Sequence, residues 1–133
     1  MIIVLDTNVF ISGVFYSGPP FEVLQAWRDR RISIVVSAEI LEEYRRVGER
    51  LARDFPGVDI KPFLALLAVE ADVVLAPALP EHVCEDPEDD KFIACAIAGG
   101  CKVIVSGDKL LRKVSGYKGI EVLTPRRFVE DHL

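Results

Sequence analysis

Several features that define large protein classes are missing from the sequence. No apolar run approaches the ~18 residues that a membrane span needs, and Met1 leads directly into a short apolar run without a basic leader. The three cysteines are odd in number and form no C-x-x-C pair, which argues against a disulfide framework and a four-ligand zinc site. We therefore expect a soluble, cytoplasmic protein with reduced cysteines and no membrane association.

Glycine-rich phosphate-binding motifs and an excess of basic residues are also absent. No G-x-G-x-x-G follows a strand-like run, so the sequence does not favour a dinucleotide-binding fold. The chain has 16 Lys and Arg against 21 Asp and Glu, and its net charge is −5. Because acidic surfaces repel phosphates, a nucleic-acid function requires that the acidic residues be gathered in one place.

What the sequence does contain is a regular alternation of strand-like and helix-like segments. Half of its 133 residues are hydrophobic, so we expect one domain, residues 1–133, with its own core. Short β-branched runs predict strands at 2–5, 32–36, 72–76, 102–105 and 120–123. Helical spacing of apolar residues predicts helices at 19–31, 38–55, 62–70, 89–99, 109–114 and 125–132.

This alternation predicts parallel strands joined by right-handed crossovers. The expected fold class is α/β, a three-layer α/β/α sandwich around a central, mainly parallel, five-stranded sheet. Asp6 directly follows the first strand, and Asp108 follows the fourth. Asp90 begins the buried helix before the fourth strand. Because ligands bind beyond the carboxyl ends of such strands, we expect these three carboxylates to face one cavity.

A fourth acid, Glu43, is selected by helical geometry. The long helix predicted at 38–55 carries one apolar stripe, formed by Ile40, Tyr44, Val47 and Leu51. At ~100° per residue Glu43 borders that stripe, whereas Glu39 and Glu42 are turned toward solvent. An acid at the edge of the core is costly unless something compensates its charge. Glu43 therefore joins the candidate cluster.

Carboxylates that share one cavity repel one another and, when ionised, need a divalent cation among them. Oxygen-only ligands favour Mg²⁺ or Mn²⁺, which suit activation of water for attack on a phosphodiester. If Asp86 and Asp89 share one cavity with the four candidate acids, the net charge of the remaining residues is slightly positive. The structural alternative is that Asp6, Asp90 and Asp108 only cap turns and helices. Their common position at one rim favours the metal site.

Four motifs occur in order along nearly the whole chain. They are Asp6-Thr7-Asn8, Glu43, Asp90-Lys91-Phe92-Ile93-Ala94 and Ser106-Gly107-Asp108. Together they resemble the motif set of the PIN-domain nucleases, and they are most similar to VapC-type toxins of toxin–antitoxin systems. The resemblance implies four catalytic metal ligands, Asp6, Glu43, Asp90 and Asp108. It also implies that Asn8 and Ser106 support these ligands through hydrogen bonds, with Ser106 in a position where the family usually has Thr.

The third motif leaves an alternative open. Asp89 directly precedes Asp90, and helical spacing places Asp89 nearer the line through Ile93 and Ala96. Asp90 is chosen because it matches the motif, and Asp89 remains its competitor.

The resemblance also implies a substrate and partners. The expected activity is metal-dependent hydrolysis of single-stranded or looped RNA, and the expected partners are a small antitoxin protein and a second copy of the chain. Lys109 and Arg112 follow Asp108 at the predicted rim, so we expect them to contact substrate phosphates.

Two other function classes compete with this hypothesis. An aspartate-based phosphohydrolase needs an acid two residues after its nucleophile, where this chain has Asn8. A receiver-like domain needs an acceptor at the end of its third strand, where the chain has Ala76 and Pro77. A catalytically inactive PIN-fold scaffold or RNA-binding module keeps the fold without the chemistry, whereas all four acids are present here. The endoribonuclease hypothesis is therefore preferred.

Overall fold

One five-stranded sheet organises the protein, and the computed structural model describes all 133 residues. Every neighbouring pair of strands is parallel, in the order β3-β2-β1-β4-β5. The strands are β1 (Ile2–Leu5), β2 (Ser33–Val36), β3 (Asp72–Val73), β4 (Val103–Val105) and β5 (Glu121–Leu123). The predicted α/β fold with a five-stranded parallel sheet is therefore confirmed.

Seven helices connect and cover these strands. They are α1 (Thr7–Phe15), α2 (Pro19–Arg28), α3 (Ala38–Ala52), α4 (Lys61–Glu70), α5 (Asp90–Ala98), α6 (Lys109–Arg112) and α7 (Pro125–His132). Short 3₁₀ turns occupy Pro87–Asp89 and Tyr117–Gly119. None of the helices combines the length and hydropathy that a membrane crossing requires.

The strand order reverses between β1 and β4. From β1 the chain moves outward to β2 and β3, and then returns across the sheet to β4 and β5. Right-handed crossovers in opposite directions place their helices on opposite faces of the sheet, and α5 packs on β1, β2 and β4. The carboxyl ends of β1 and β4 therefore border the switch point at which ligands bind in such folds.

Two elements differ from the sequence prediction. Helix α1 was not predicted, because its apolar residues are spread around the helix and include β-branched Val9 and Ile11. Strand β3 is shorter than predicted, because its last partner on β2 is Val36 and the next residue, Ser37, already caps α3. Val74 N still donates to the Val36 oxygen at 2.9 Å, and the apolar residues after Val74 continue outside the strand.

A buried tyrosine joins helix α3 to the end of β1. Tyr44 is fully buried, its hydroxyl donates to the backbone oxygen of Leu5, and its ring stacks on Phe10 with centroids 4.4 Å apart. A buried hydroxyl is tolerated because it has this hydrogen-bond partner. The contact holds α3 beside the residue that follows β1, which is Asp6, and it sets the position of Glu43.

Close packing of α1 on α2 predicts a cost for a single methyl group. A Cβ at Gly13 would lie 2.8 Å from the backbone oxygen of Pro20 and 2.6 Å from Leu24 Cδ1. Alanine favours a helix interior by ~1 kcal/mol over glycine, but overpacking against backbone outweighs that gain. Gly13→Ala should lower the free energy of unfolding by about 1–3 kcal/mol in denaturant titrations.

Gly48→Ala is the matched control. Its nearest contacts are the side-chain atoms of Ile60, at 2.8 and 3.0 Å, which can move more easily than backbone. The loss at Gly48 should be smaller than at Gly13. Equal or greater loss at Gly48 would contradict the proposed packing of α1 on α2.

Candidate metal-binding active site

Asp6 lies at the carboxyl end of β1 and is almost completely buried, with 5% of the residue exposed. Its backbone N–H donates to Val105 on β4 at 3.0 Å, and Ser106 Oγ donates to its Oδ2 at 2.6 Å. Burial raises the pKa of Asp6, the Ser106 hydrogen bond opposes that rise, and the charges of Asp108 and Glu43 add to it. Asp6 is thus held in place but is electrostatically unfavourable as an anion.

Asp108 is connected to Asp6 through Ser106. The Ser106 hydroxyl accepts from the backbone N–H of Asp108 at 3.0 Å while donating to Asp6. Asp108 Oδ1 accepts from Leu110 N at 2.9 Å and caps α6. The cap and the site are therefore compatible functions of one carboxylate, since Asp108 also lies close enough to raise the pKa of Asp6.

Asp89 brings a third carboxylate to this place. The pKa of Asp89 is raised to about 7. Burial is the largest cause, and the charges of Asp6, Asp108 and Asp86 add to it. Its Oδ2 atom is buried and has no hydrogen-bond partner. A buried carboxylate oxygen without a donor is costly. The charges of Asp6 and Asp108 thus act on Asp89, and we call these three residues the aspartate cluster.

Asp90 has different contacts from its neighbour. Its Oδ1 accepts from Cys84 N at 2.8 Å and Val83 N at 3.3 Å, and its Oδ2 lies 3.0 Å from His82 Nδ1. Burial alone would raise the pKa of Asp90, but the hydrogen bonds from Cys84, His82 and Val83 outweigh it and lower the pKa. Both Asp90 oxygens thus bind the loop at 82–84. The charges of Asp6 and Asp108 act on Asp89, whereas the hydrogen bonds of Asp90 are with this loop.

Glu43 borders the aspartate cluster from α3. Its side chain is 15% exposed, and its charge contributes to the raised pKa of Asp6. Thr7 donates to Glu43 Oε2, and Lys91 Nζ lies 2.6 Å from Oε1. Glu42, one residue earlier, is exposed and pairs with Arg45. Glu43 therefore faces the interior while Glu42 faces solvent.

Sequence reasoning missed Thr7 and Lys91. Thr7 belongs to the unpredicted helix α1, so its orientation toward Glu43 had no sequence signal. Lys91 is 12% exposed, and although burial would lower its pKa, the hydrogen bond and charge of Glu43 raise it. The available signal was the position of Lys91, which follows two aspartates and precedes the buried residues 92–96. A lysine at such a position needs an acidic partner.

The remaining predicted residues lie around this region. Ser106 is completely buried and Asn8 is exposed. Lys109 is exposed at the start of α6, and Arg112 is half-buried with an Nε atom that has no hydrogen-bond partner. A groove of about 620 Å³ lies beside Glu43, Asp90 and Lys91.

The aspartate cluster fits a divalent cation chemically. No group of three or more His, Cys, Asp or Glu side chains is arranged in the structure so that it could hold a metal ion. However, the unpartnered Asp89 oxygen and the raised pKa values of Asp6 and Asp89 are features that a cation would relieve. The donors are all oxygens, which suits Mg²⁺ or Mn²⁺.

Comparison with known proteins agrees with this fold. A family model described as PIN domain matches residues 2–110. The chain therefore belongs to the PIN-domain family. It is also 31% identical to the uncharacterized protein MJ1680 of Methanocaldococcus jannaschii, over 141 aligned residues that cover 97% of this chain and 90% of the relative. PIN domains are generally nucleases, and those nucleases generally use divalent metals.

The opposite environments of Asp89 and Asp90 predict opposite effects on metal-free stability. Asp89→Asn removes a charge from the aspartate cluster, so it should raise the melting temperature in EDTA. Asp90→Asn weakens the hydrogen bonds to loop 82–84, so it should lower that temperature. Thermal melts of both variants at about pH 8 test this difference. If both variants shifted in the same direction, the assigned orientations would be incorrect.

The stabilisation from Asp89→Asn should depend on pH. The folded-state pKa of Asp89 is raised from 3.8 to about 7, so the folded protein keeps a proton that the unfolded chain loses between these values. The metal-free wild type should lose stability as the pH rises through that window. The advantage of Asp89→Asn should therefore shrink from about pH 8 to about pH 5. A pH-independent advantage would contradict the raised pKa.

Proposed function

We propose that the protein is a Mg²⁺- or Mn²⁺-dependent endoribonuclease that hydrolyses phosphodiester bonds of single-stranded or looped RNA. The observation that carries the proposal is the aspartate cluster, with an unpartnered buried oxygen on Asp89, at the switch point of a PIN-domain sheet. A bound divalent cation supplies Lewis-acid activation of water and neutralises charge on the phosphodiester.

The proposed ligands are Asp6, Asp89 and Asp108, with Glu43 as the adjoining fourth acid. Geometry favours Asp89 over Asp90 as the ligand from the third motif, because both Asp90 oxygens bind loop 82–84. Asp90 would then position Asp89 by fixing the start of α5. Ser106 would orient Asp6, since its hydroxyl donates to Oδ2.

The cysteines do not provide an alternative nucleophile. Cys84, Cys95 and Cys101 are all buried. Burial is the main reason that the pKa values of Cys84 and Cys95 are raised to about 12, so these thiols are protonated at neutral pH. Activated water is therefore the favoured nucleophile, as in the metal mechanism.

Substrate contacts are proposed at the rim beside Asp108. Lys109 is exposed there, and the half-buried Arg112 follows three residues later on α6, so their cationic groups are candidates to bind a phosphate oxygen. A single RNA strand can present such a phosphate at this rim, whereas a duplex is wider. Asn8, exposed next to the site, is proposed as a supporting hydrogen-bond donor.

We further propose a cytoplasmic toxin that acts as a homodimer and is held by a small antitoxin. The support for these partners is the resemblance of the motifs to VapC-type toxins. The inactive-scaffold alternative is favoured by one observation, which is that Glu43 is already paired with Lys91. The phosphohydrolase alternative is weakened because Asn8, in place of its required acid, is exposed.

Purified protein should cleave single-stranded RNA in Mn²⁺ or Mg²⁺ and lose this activity in EDTA, because water activation requires the cation. Gel analysis of end-labelled RNA measures the cleavage, with double-stranded DNA as a poor substrate. Asp6→Asn, purified identically, controls for contaminating nucleases. Cleavage that survived chelation, or that Asp6→Asn retained, would refute the proposal.

Matched neighbouring substitutions should locate the ligands. Glu43→Gln should reduce turnover on the order of a hundredfold, whereas Glu42→Gln should change it little because Glu42 is exposed and pairs with Arg45. Asp89→Asn should abolish Mn²⁺-dependent turnover more completely than Asp90→Asn. A greater loss at Asp90 would instead support the original motif assignment.

A further inference from the structure

Lys91 lies between an acid inside the proposed site and an acid outside it. Its Nζ is 2.6 Å from Glu43 Oε1 and 3.4 Å from Glu88 Oε2. The Glu88 side chain is 79% exposed, whereas those of Lys91 and Glu43 are 12% and 15% exposed. One ammonium group therefore contacts both an enclosed carboxylate and a solvated one.

Both oxygens of Glu43 have close partners, and Arg46 Nη2 also lies 3.7 Å from Oε1. Thr7 donates to Oε2 and Lys91 donates to Oε1. A metal ion that binds Glu43 through Oε1 must displace the Lys91 ammonium, because two cations cannot share that position without strong repulsion. The departing lysine also needs a new partner, since an unpaired ammonium in a mostly enclosed place is costly.

We propose that Lys91 is an internal counter-ion that neutralises Glu43 when no metal is bound and transfers to Glu88 when a divalent cation binds. This inference rests on the proposed metal site. It assigns Lys91 a positioning role that sets metal affinity, and it does not require Lys91 to touch RNA.

The surroundings of Lys91 provide room for this transfer. The groove of about 620 Å³ is lined by Glu43, Glu88 and Lys91, so the ammonium can turn outward within it. Glu88 lies three residues before Lys91 and is already within 3.4 Å of Nζ. Because Glu88 belongs to the 3₁₀ turn before α5, the transfer needs side-chain rotation and no change of fold.

Two substitutions should change metal affinity in opposite directions. Lys91→Met removes the nearer cation from Glu43 Oε1 and leaves Arg46, whose Nη2 lies 3.7 Å away on a 65% exposed side chain, so Mn²⁺ should bind about tenfold more tightly. Glu88→Gln removes the outer partner and leaves Lys91 on Glu43, so Mn²⁺ should bind about threefold more weakly. Glu85→Gln is the matched control, because Glu85 is an exposed acid in the same segment that pairs with Lys113.

Isothermal titration of the full chain with Mn²⁺ alone measures these affinities without RNA. Thermal melts in EDTA supply a second measurement, in which Lys91→Met should be less stable than wild type because Glu43 loses its closest cation. Adding Glu43→Gln to Lys91→Met should restore part of that stability. If Lys91→Met does not fold, the weaker binding of Glu88→Gln relative to Glu85→Gln still tests the transfer.

The outcomes separate this inference from the proposed function. Opposite shifts for Lys91→Met and Glu88→Gln would support it. Unchanged or weaker Mn²⁺ binding by Lys91→Met would overturn the inference, and so would equal Mn²⁺ affinities of Glu88→Gln and Glu85→Gln. In either case the nuclease proposal would still stand if the wild type binds Mn²⁺ and cleaves RNA. Absence of any Mn²⁺ binding by the wild type would overturn both.

Discussion

Repulsion among carboxylates at the end of the β1–β4 pair is the constraint on which the rest of the site depends. The parallel sheet places Asp6 and Asp108 at one rim, and the 3₁₀ turn before α5 adds Asp89. Burial makes their charges more costly, so each neighbouring group has an electrostatic consequence. Ser106 hydrogen-bonds Asp6, and Lys91 neutralises Glu43, while Asp89 retains an oxygen without a donor. The site is thus stabilised unevenly, with its least satisfied atom where a cation would be most effective.

The fold was largely predictable because its signals are local. Strand-like and helix-like segments alternate along the chain, and this order is enough to indicate a parallel sheet with its acids at the carboxyl ends. Helix α1 escaped prediction because a helix that is apolar on most sides lacks a clear period. The short β3 escaped because its length is set by where β2 ends, which is a tertiary property.

The site was predictable in its location but not in every side chain. Helical geometry separates Glu43 from Glu42 because a long amphipathic helix has a defined inner face. It could not separate Asp89 from Asp90, since a 3₁₀ turn precedes α5 and changes the direction of successive side chains at their junction. Lys91 was missed because its role depends on a residue 48 positions away in the chain.

The hydrogen bonds that Asp90 accepts from loop 82–84 have an evolutionary consequence. Asp89 and Asp90 are joined by one peptide bond, so a change that loosens the loop also loosens the start of α5. Selection on the geometry of the aspartate cluster would therefore also act on substitutions at Val83 or Cys84, although neither residue belongs to the cluster. In a lineage, loop and cluster should accept mutations as one unit, and a defect in the geometry of the cluster should be repairable by a change in the loop alone.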